Sequence, residues 1–258
     1  MFRLFIIFIT LLNTSFTKGV TVQEIIKRAN LASYYQANDG KSHVKMKIVD
    51  SQKRVRKREF VILRRNIKKG GDQQYYVYFS RPTDVRKMVF LVHKHIKKDD
   101  DRWLYLPALD LVKRIAATDK RTSFVGSDFL YEDVSGRGIK ADHHTLLKED
   151  EKYYIISSTP KNQKSVEFSK YMLWIDKKSF LPMKTEYFDK SGKKYRLVEA
   201  LEVKDFNGFL TITKSKVHNL DTGGFTELEF HKVKYNLKIK SKVFTERYLR
   251  RTPKEVRR

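Results

Sequence analysis

The chain has 258 residues, 40% of them hydrophobic, long enough for one large domain or two small ones and too apolar for a disordered chain. It has no cysteine, which excludes disulfides, thiolate metal sites, cysteine nucleophiles and anchoring through an acylated N-terminal cysteine. Lysine and arginine total 55 against 30 acidic residues, and the formal charge of +25 draws the protein toward polyanions such as nucleic acid or anionic lipid head groups, or simply spreads solvated lysine over its faces.

In chain order, residues 1–19 have the physics of a secretory signal peptide. Arg3 is the only charge before Lys18, and Leu4 to Leu12 form an apolar run too short to span a bilayer. Thr17 and Gly19 both fit as the last residue removed. The remainder, 20–258, has no later stretch apolar enough to cross a membrane, so a soluble, exported single domain is predicted. Thr21 and Glu24 have the spacing of a capping box, and Ile25, Ile26, Ala29 and Ala32 follow at helical intervals. An amphipathic helix is therefore predicted over 22–34, ending before the turn signal Asn38-Asp39-Gly40.

Strands come next. Val44, Met46 and Ile48 alternate with lysines, 58–63 and 74–79 form two more strands, and 87–93 is an apolar run whose faces both have to be covered. After the stretch 101–134, residues 142–151 read as a short helix or a loop. Further strands are predicted at 153–158, 171–175, 183–188, 195–201, 209–214, 225–230 and 233–237. Turns separate several of them at 189–192, 205–208 and 221–224. Residues 242–249 either close the sheet or form a helical turn, and 252–258 is a basic tail. This spacing points to a mainly β (α+β) fold, one large antiparallel sheet rather than βαβ units. A sheet so wide has to curl into a half-open barrel, and its concave face has to be filled by a few helices or by a ligand.

The stretch Asp101 to Val134 concentrates large apolar side chains. It reads as a strand WLYL stopped by Pro107, a return strand LVKRIA, and a loop entering SDFLYEDV, where Ser127 or Asp128 is placed to cap a helical turn. It supplies more aromatic bulk beside a loop than strand packing needs. Trp103, Tyr105, Leu109, Phe124, Phe129 and Tyr131 are therefore candidates for the border of an apolar cavity, with SDFLYED as part of its lid. The competing expectation is that all six are core. Lys113, Arg114, Lys120 and Arg121 are candidates for a basic rim that holds a head group.

WLYLPAL, VKRI and SFVGSDFLYEDV, in that order, resemble the signature of outer membrane lipoprotein-sorting proteins of the LolA-like type. Val125 stands where that signature has Met, and Leu130 where it has Thr. The resemblance extends over most of the chain, to KVKYNLKIKSKVFTERYL. It implies a periplasmic protein of a diderm bacterium, a half-open barrel with a helical lid over an apolar cavity, and lipid or lipoprotein acyl chains as cargo. It also implies an inner-membrane transporter of the resistance-nodulation-division type as partner.

Other chemistry is weakly supported. His93 and His95 share a strand face and His143-His144 form a second pair, but no acidic residue lies at a recognised ligand spacing, so no metal is predicted. Asp128, Glu132 and Asp133 read as caps and salt-bridge partners of Lys113 or Arg114. Ser123 and Ser127 lack a nucleophile elbow, and Gly126 lacks a phosphate loop. No catalytic constellation and no cofactor are predicted, and the leader argues against nucleic acid. Burying an acyl chain of about fourteen methylenes is worth on the order of 11 kcal/mol, nearly what a bilayer offers. A carrier thus needs only a cavity that matches the membrane, plus a head-group or partner contact that tips release. A transporter adaptor without cargo and an exported enzyme are the rival expectations.

Overall fold

The computed structural model describes residues 19–257; the predicted leader, apart from its last residue, lies outside the described residues. Helix α1 runs Val22–Tyr34, as its pattern predicts. Thr21 Oγ1 accepts the Glu24 amide at 3.2 Å, while the Glu24 carboxylate pairs with Lys27 at 3.7 Å. One arm of the capping box is therefore made, and the acid adds an i,i+3 pair instead of the other. Ile25, Ile26 and Ala29 are buried against Ile156, Ile175 and Phe180.

Among the described residues, thirteen strands form a single antiparallel sheet. They are β1 (Asp39–Val49), β2 (Val55–Asn66), β3 (Gln73–Arg81), β4 (Val89–Lys94), β5 (Asp101–Leu106) and β6 (Leu111–Arg114), then β7 (Asp142–Glu149), β8 (Tyr153–Pro160), β9 (Phe168–Asp176), β10 (Pro182–Asp189), β11 (Lys194–Asp205), β12 (Leu210–Asn219) and β13 (Phe225–Tyr235). The spatial order is β6-β5-β4-β3-β2-β1-β13-β12-β11-β10-β9-β8-β7. The chain thus starts in the middle of the sheet, walks out to one edge, jumps to the opposite edge, and walks back until β13 pairs with β1. The edges β6 and β7 do not pair, so the barrel stays half open.

The expected helix or loop at 142–151 is a strand. Its polar sequence DHHTLLKE suits an edge, where one side of the ladder and much of each face meet water. The two strands expected at 225–230 and 233–237 are one, β13. Residues 242–249 do not close the sheet. A single helical turn at Ser241–Phe244 and the short helix α3 (Arg247–Arg250) lie there instead.

Both faces of the β2–β5 half are covered, which is why Val89 to Val92 are all buried without alternation. One face carries Phe60, Val77, Phe90 and Leu104, continued by Met46 of β1, and packs against the jump between the edges, residues 115–141. The other carries Leu63, Tyr76, Leu91, Trp103 and Tyr105, beneath a C-terminal strap that contributes Ile239, Phe244, Leu249 and Val256. Among the described residues no helix is long and apolar enough to cross a membrane.

Candidate functional site: a cavity under the crossover

The crossover that joins β6 to β7 is the roof of the site. Its first part is a closed loop: Ser123 bridges Leu130, and the Phe124 amide donates to the Phe129 carbonyl at 2.7 Å. Ser127 Oγ donates to the Phe124 carbonyl at 2.7 Å and accepts the Phe129 amide at 3.2 Å. Between them Val125 and Gly126 take left-handed backbone, φ 52° and 72°, a cost for a β-branched residue that the loop's hydrogen bonds offset. The loop drives Phe124 into the core, where its ring lies 5.8 Å from Phe79, 5.4 Å from Phe90 and 5.6 Å from Tyr131.

The second part is helix α2 (Tyr131–Ser135). Its cap comes from within the helix, not from Ser127 or Asp128: Asp133 Oδ2 accepts the Leu130 amide at 2.8 Å. Ser127 is occupied by its own loop, and Asp128 Oδ2 accepts from Thr226 Oγ1 of β13 at 2.7 Å. Gly136 follows with φ 77°, and a Cβ there would lie 2.5 Å from the Tyr34 ring. Only glycine lets α2 pass so close to the end of α1.

Buried ion pairs hold the crossover down. Glu132, 4% exposed, accepts from Arg121 Nη1 at 3.0 Å and Arg137 Nη1 at 3.3 Å. Arg137 also pairs with Asp142 at 2.8 Å, which accepts the Tyr171 hydroxyl at 2.8 Å. Burial pushes the Arg137 guanidinium down, but the Asp142 hydrogen bonds and the Glu132 charge outweigh it, so the net direction is up. Losing one carboxylate here would strand a buried charge.

Between the crossover, the end of α1 and the curled sheet lies a cavity of about 380 Å³, within the usual range for small-molecule sites. Its apolar wall includes Met46, Phe60, Ile62, Phe129, Val134, Val198, Ile212 and Leu228, and its polar lining includes Tyr34, Arg64, Tyr187 and Arg196. Burial pushes the Tyr34 and Tyr187 phenols up, so both stay neutral. Arg64 donates to the Tyr34 carbonyl at 2.6 Å and to the Gln36 carbonyl, closing the end of α1 onto β2.

The six apolar candidates separate. Phe124 and Phe129 line the cavity. Tyr131 joins the aromatic cluster behind the lining. Trp103 and Tyr105 face the opposite side of the sheet under the C-terminal strap, and Leu109 is 71% exposed at the β5–β6 turn. None of the four basic candidates lines the cavity. Arg121 is buried between Glu132 and Glu167, Lys120 pairs with Asp99 at 3.6 Å, Arg114 pairs with Asp101, and Lys113 is exposed on β6. His93 and His95 do not converge either: His93 meets the Phe244 carbonyl at 2.7 Å, and His95 sits between Asp72 and Asp101. The polar lining residues escaped the sequence reading, although a signal exists. Arg64 and Arg196 each stand in phase with inward apolar residues, Phe60 and Ile62 on β2 and Val198 and Ala200 on β11.

A wide open sheet, a crossover roof and an apolar hollow between them make a half-open barrel of the LolA-like kind. A model of an uncharacterized-protein family matches residues 71–251. Among solved structures, the chain is 26% identical to a DUF1329 family protein from Desulfovibrio piger, over 88% of this chain and 96% of that one, with a TM-score of 0.81. It is 26% identical to a domain assigned as an outer membrane lipoprotein-sorting protein from Vibrio parahaemolyticus, over 89% of this chain and 96% of that one, with a TM-score of 0.79. A LolA superfamily protein from Nitrosomonas europaea shares the fold at 20% identity, over 89% of this chain and 99% of that one, with a TM-score of 0.68. No curated protein matches. The chain belongs to a LolA-like family.

Proposed function

We propose that this protein is a periplasmic carrier that takes acyl chains of a lipid or lipoprotein into the cavity under the crossover and moves them between membranes without catalysing a reaction. The observation that carries this reading is the hollow itself, an apolar space of about 380 Å³ kept open between sheet and crossover. Protein cores normally pack without voids, so a mostly apolar hollow of this size beneath a crossover supports an apolar occupant. The likeness to a lipoprotein-sorting domain supports the cargo class. The apolar leader at 1–19 supports export. The basic surface supports transient contact with anionic head groups at each membrane, and the resemblance at WLYLPAL and SDFLYEDV supports an inner-membrane exporter of the resistance-nodulation-division type as partner.

The test is extraction and mass spectrometry of protein purified without detergent, together with uptake of a fluorescent fatty acid. Co-purifying lipid or saturable uptake is expected. Protein free of lipid and inert to the probe would overturn the reading in favour of an adaptor whose hollow is vestigial.

A further inference from the structure

Strand β2 is longer than its neighbour at one end. Its pairing with β3 stops at Glu59 and Arg81, while Lys57 and Arg58 stay paired only on the other side, with Lys47 and Met46 of β1. Pro82 ends β3, since it has no N–H to give the ladder, and the chain turns away. That turn is held by Val85, which is buried in the core, and by the Lys87 amide, which donates to the Phe79 carbonyl at 2.8 Å. Between the unpaired edge of β2 and the turn lies a second cleft, of about 430 Å³, which shares no lining residue with the hollow under the crossover.

The lining of this cleft is cationic. It includes Lys57, Arg58, Arg81 and Arg86, and Glu59 is its single acid. Arg58 is 8% exposed, and its charge is answered only by Asp84, 3.6 Å from Nη1, a carboxylate that is itself 67% exposed. Burial pushes the Arg58 guanidinium down, Asp84 opposes this, and Arg56 adds to the fall. Arg81 reaches Glu59 only at 4.0 Å. Lys57 and Arg86 have no ion pair among the described residues, and the Thr83 hydroxyl in the same lining has no hydrogen bond there either. Four cations against two carboxylates leave two positive charges over.

A buried guanidinium without a close counter-ion is costly. Here cations from a second strand and a turn join it, so what the cleft lacks is negative charge. A singly charged carboxylate answers half of the surplus. A phosphate monoester carries close to two charges on one tetrahedral centre, and it offers three oxygens to donors that converge from different sides, a geometry suited to arginine forks.

We infer that this cleft is a phosphate site, in which Arg58 at the floor and Arg81, Arg86 and Lys57 at the rim hold a terminal phosphate monoester, either free in solution or at the head of a lipid. The site is separate from the hollow, and the inference does not depend on the carrier reading.

The experiment has two arms on the full chain. In the first, the protein is sedimented with vesicles of phosphatidic acid, a monoester, and with vesicles of phosphatidylglycerol, a diester, matched in surface charge. In the second, glycerol 3-phosphate is titrated into the protein alone. The expected result is that half-binding to phosphatidic acid needs about tenfold less lipid than to phosphatidylglycerol, or that glycerol 3-phosphate binds saturably. The first names a lipid head as the source and the second a free phosphate ester. Arg81→Gln with Arg86→Gln, both exposed, should abolish whichever is seen. Lys161→Gln with Lys164→Gln removes the same charge from the exposed turn after β8 and should leave it intact. Equal binding to the two vesicles together with no uptake of glycerol 3-phosphate would overturn the inference, and this comparison in the wild-type chain stands even if a variant fails to fold. So would a loss as large in the Lys161 and Lys164 pair as in the Arg81 and Arg86 pair, since the net charge alone would then be at work.

Discussion

Lys94 ends β4 with its ammonium group inside the protein. Nζ donates to the Gly136 carbonyl at 3.1 Å and to that of Ser135, and it lies 5.1 Å from the Tyr34 ring. Burial pushes its pKa down to about 8, with Arg102 adding to the fall and the Asp100 and Glu132 carboxylates opposing it. The unfolded chain, whose lysines titrate near 10.5, therefore holds this proton more tightly than the folded protein does. The charged form costs stability at neutral pH, about 3 kcal/mol at roughly 1.4 kcal/mol per pH unit, and the cost is relieved as pH rises from about 8 to about 10.5. The unfolding free energy of the wild type relative to Lys94→Met should accordingly rise by about 3 kcal/mol between pH 7 and pH 10.5, read from urea titrations at each pH. A difference that stays flat would mean that the ammonium group is hydrated in place. In the sequence Lys94 reads only as the residue between two histidines. Its burial is set by α2, which arrives from a segment some forty residues away.

At the scale of elements, the crossover and the C-terminal strap cover opposite faces of one half-sheet, and a matched pair of truncations separates them. Phe129 is part of the cavity lining; Trp103 packs under the strap and against His93, ring to ring at 5.1 Å. Phe129→Ala should weaken uptake of a fluorescent fatty acid with a smaller loss of melting temperature. Trp103→Ala should cost on the order of 3 kcal/mol of stability and leave uptake per folded molecule unchanged. The reverse pattern would put the ligand on the strap side.

Both residues belong to the aromatic stretch that sequence reading singles out, and only one reaches the cavity. Alternation along WLYL separates Trp103 and Tyr105 from Leu104, but nothing local says which set faces the hollow and which faces the strap. That choice is made by Phe244 and Leu249, far along the chain. Helix α1 could be read to its bounds because cap and apolar period both lie within it. Strand β7 could not, because an edge strand needs neither an apolar face nor a second neighbour, and DHHTLLKE therefore carries little strand signal.

The molecule as a whole carries a formal charge of +25, and many of its ion pairs are solvent-exposed and contribute little each. Binding to vesicles rich in anionic lipid should fall steeply as salt rises from about 0.05 to about 0.5 M, as the Debye length shrinks to a few ångströms. Binding that ignores ionic strength, or that is equal on neutral vesicles, would point to apolar insertion. The broad architecture was within reach of the sequence because it repeats strand and turn. The order of the strands was not, since it depends on one jump between edges that no local pattern marks.

That jump has a consequence for how the protein comes into being. The seam at the centre of the sheet pairs Gly40 with Tyr235 and Ile48 with Thr226, residues close to opposite ends of the chain. Closing so long a loop is slow and comes late relative to the hairpins on either side. The two wings can zip locally, but β13 supplies Leu228, Phe230 and Val233 to the hollow, so the hollow is complete only when the last strand is in place. A chain in which β1 and β13 have not yet paired therefore exposes the apolar faces of two half-sheets. On the carrier reading proposed above, the whole sheet has to be laid down before there is a hollow to load.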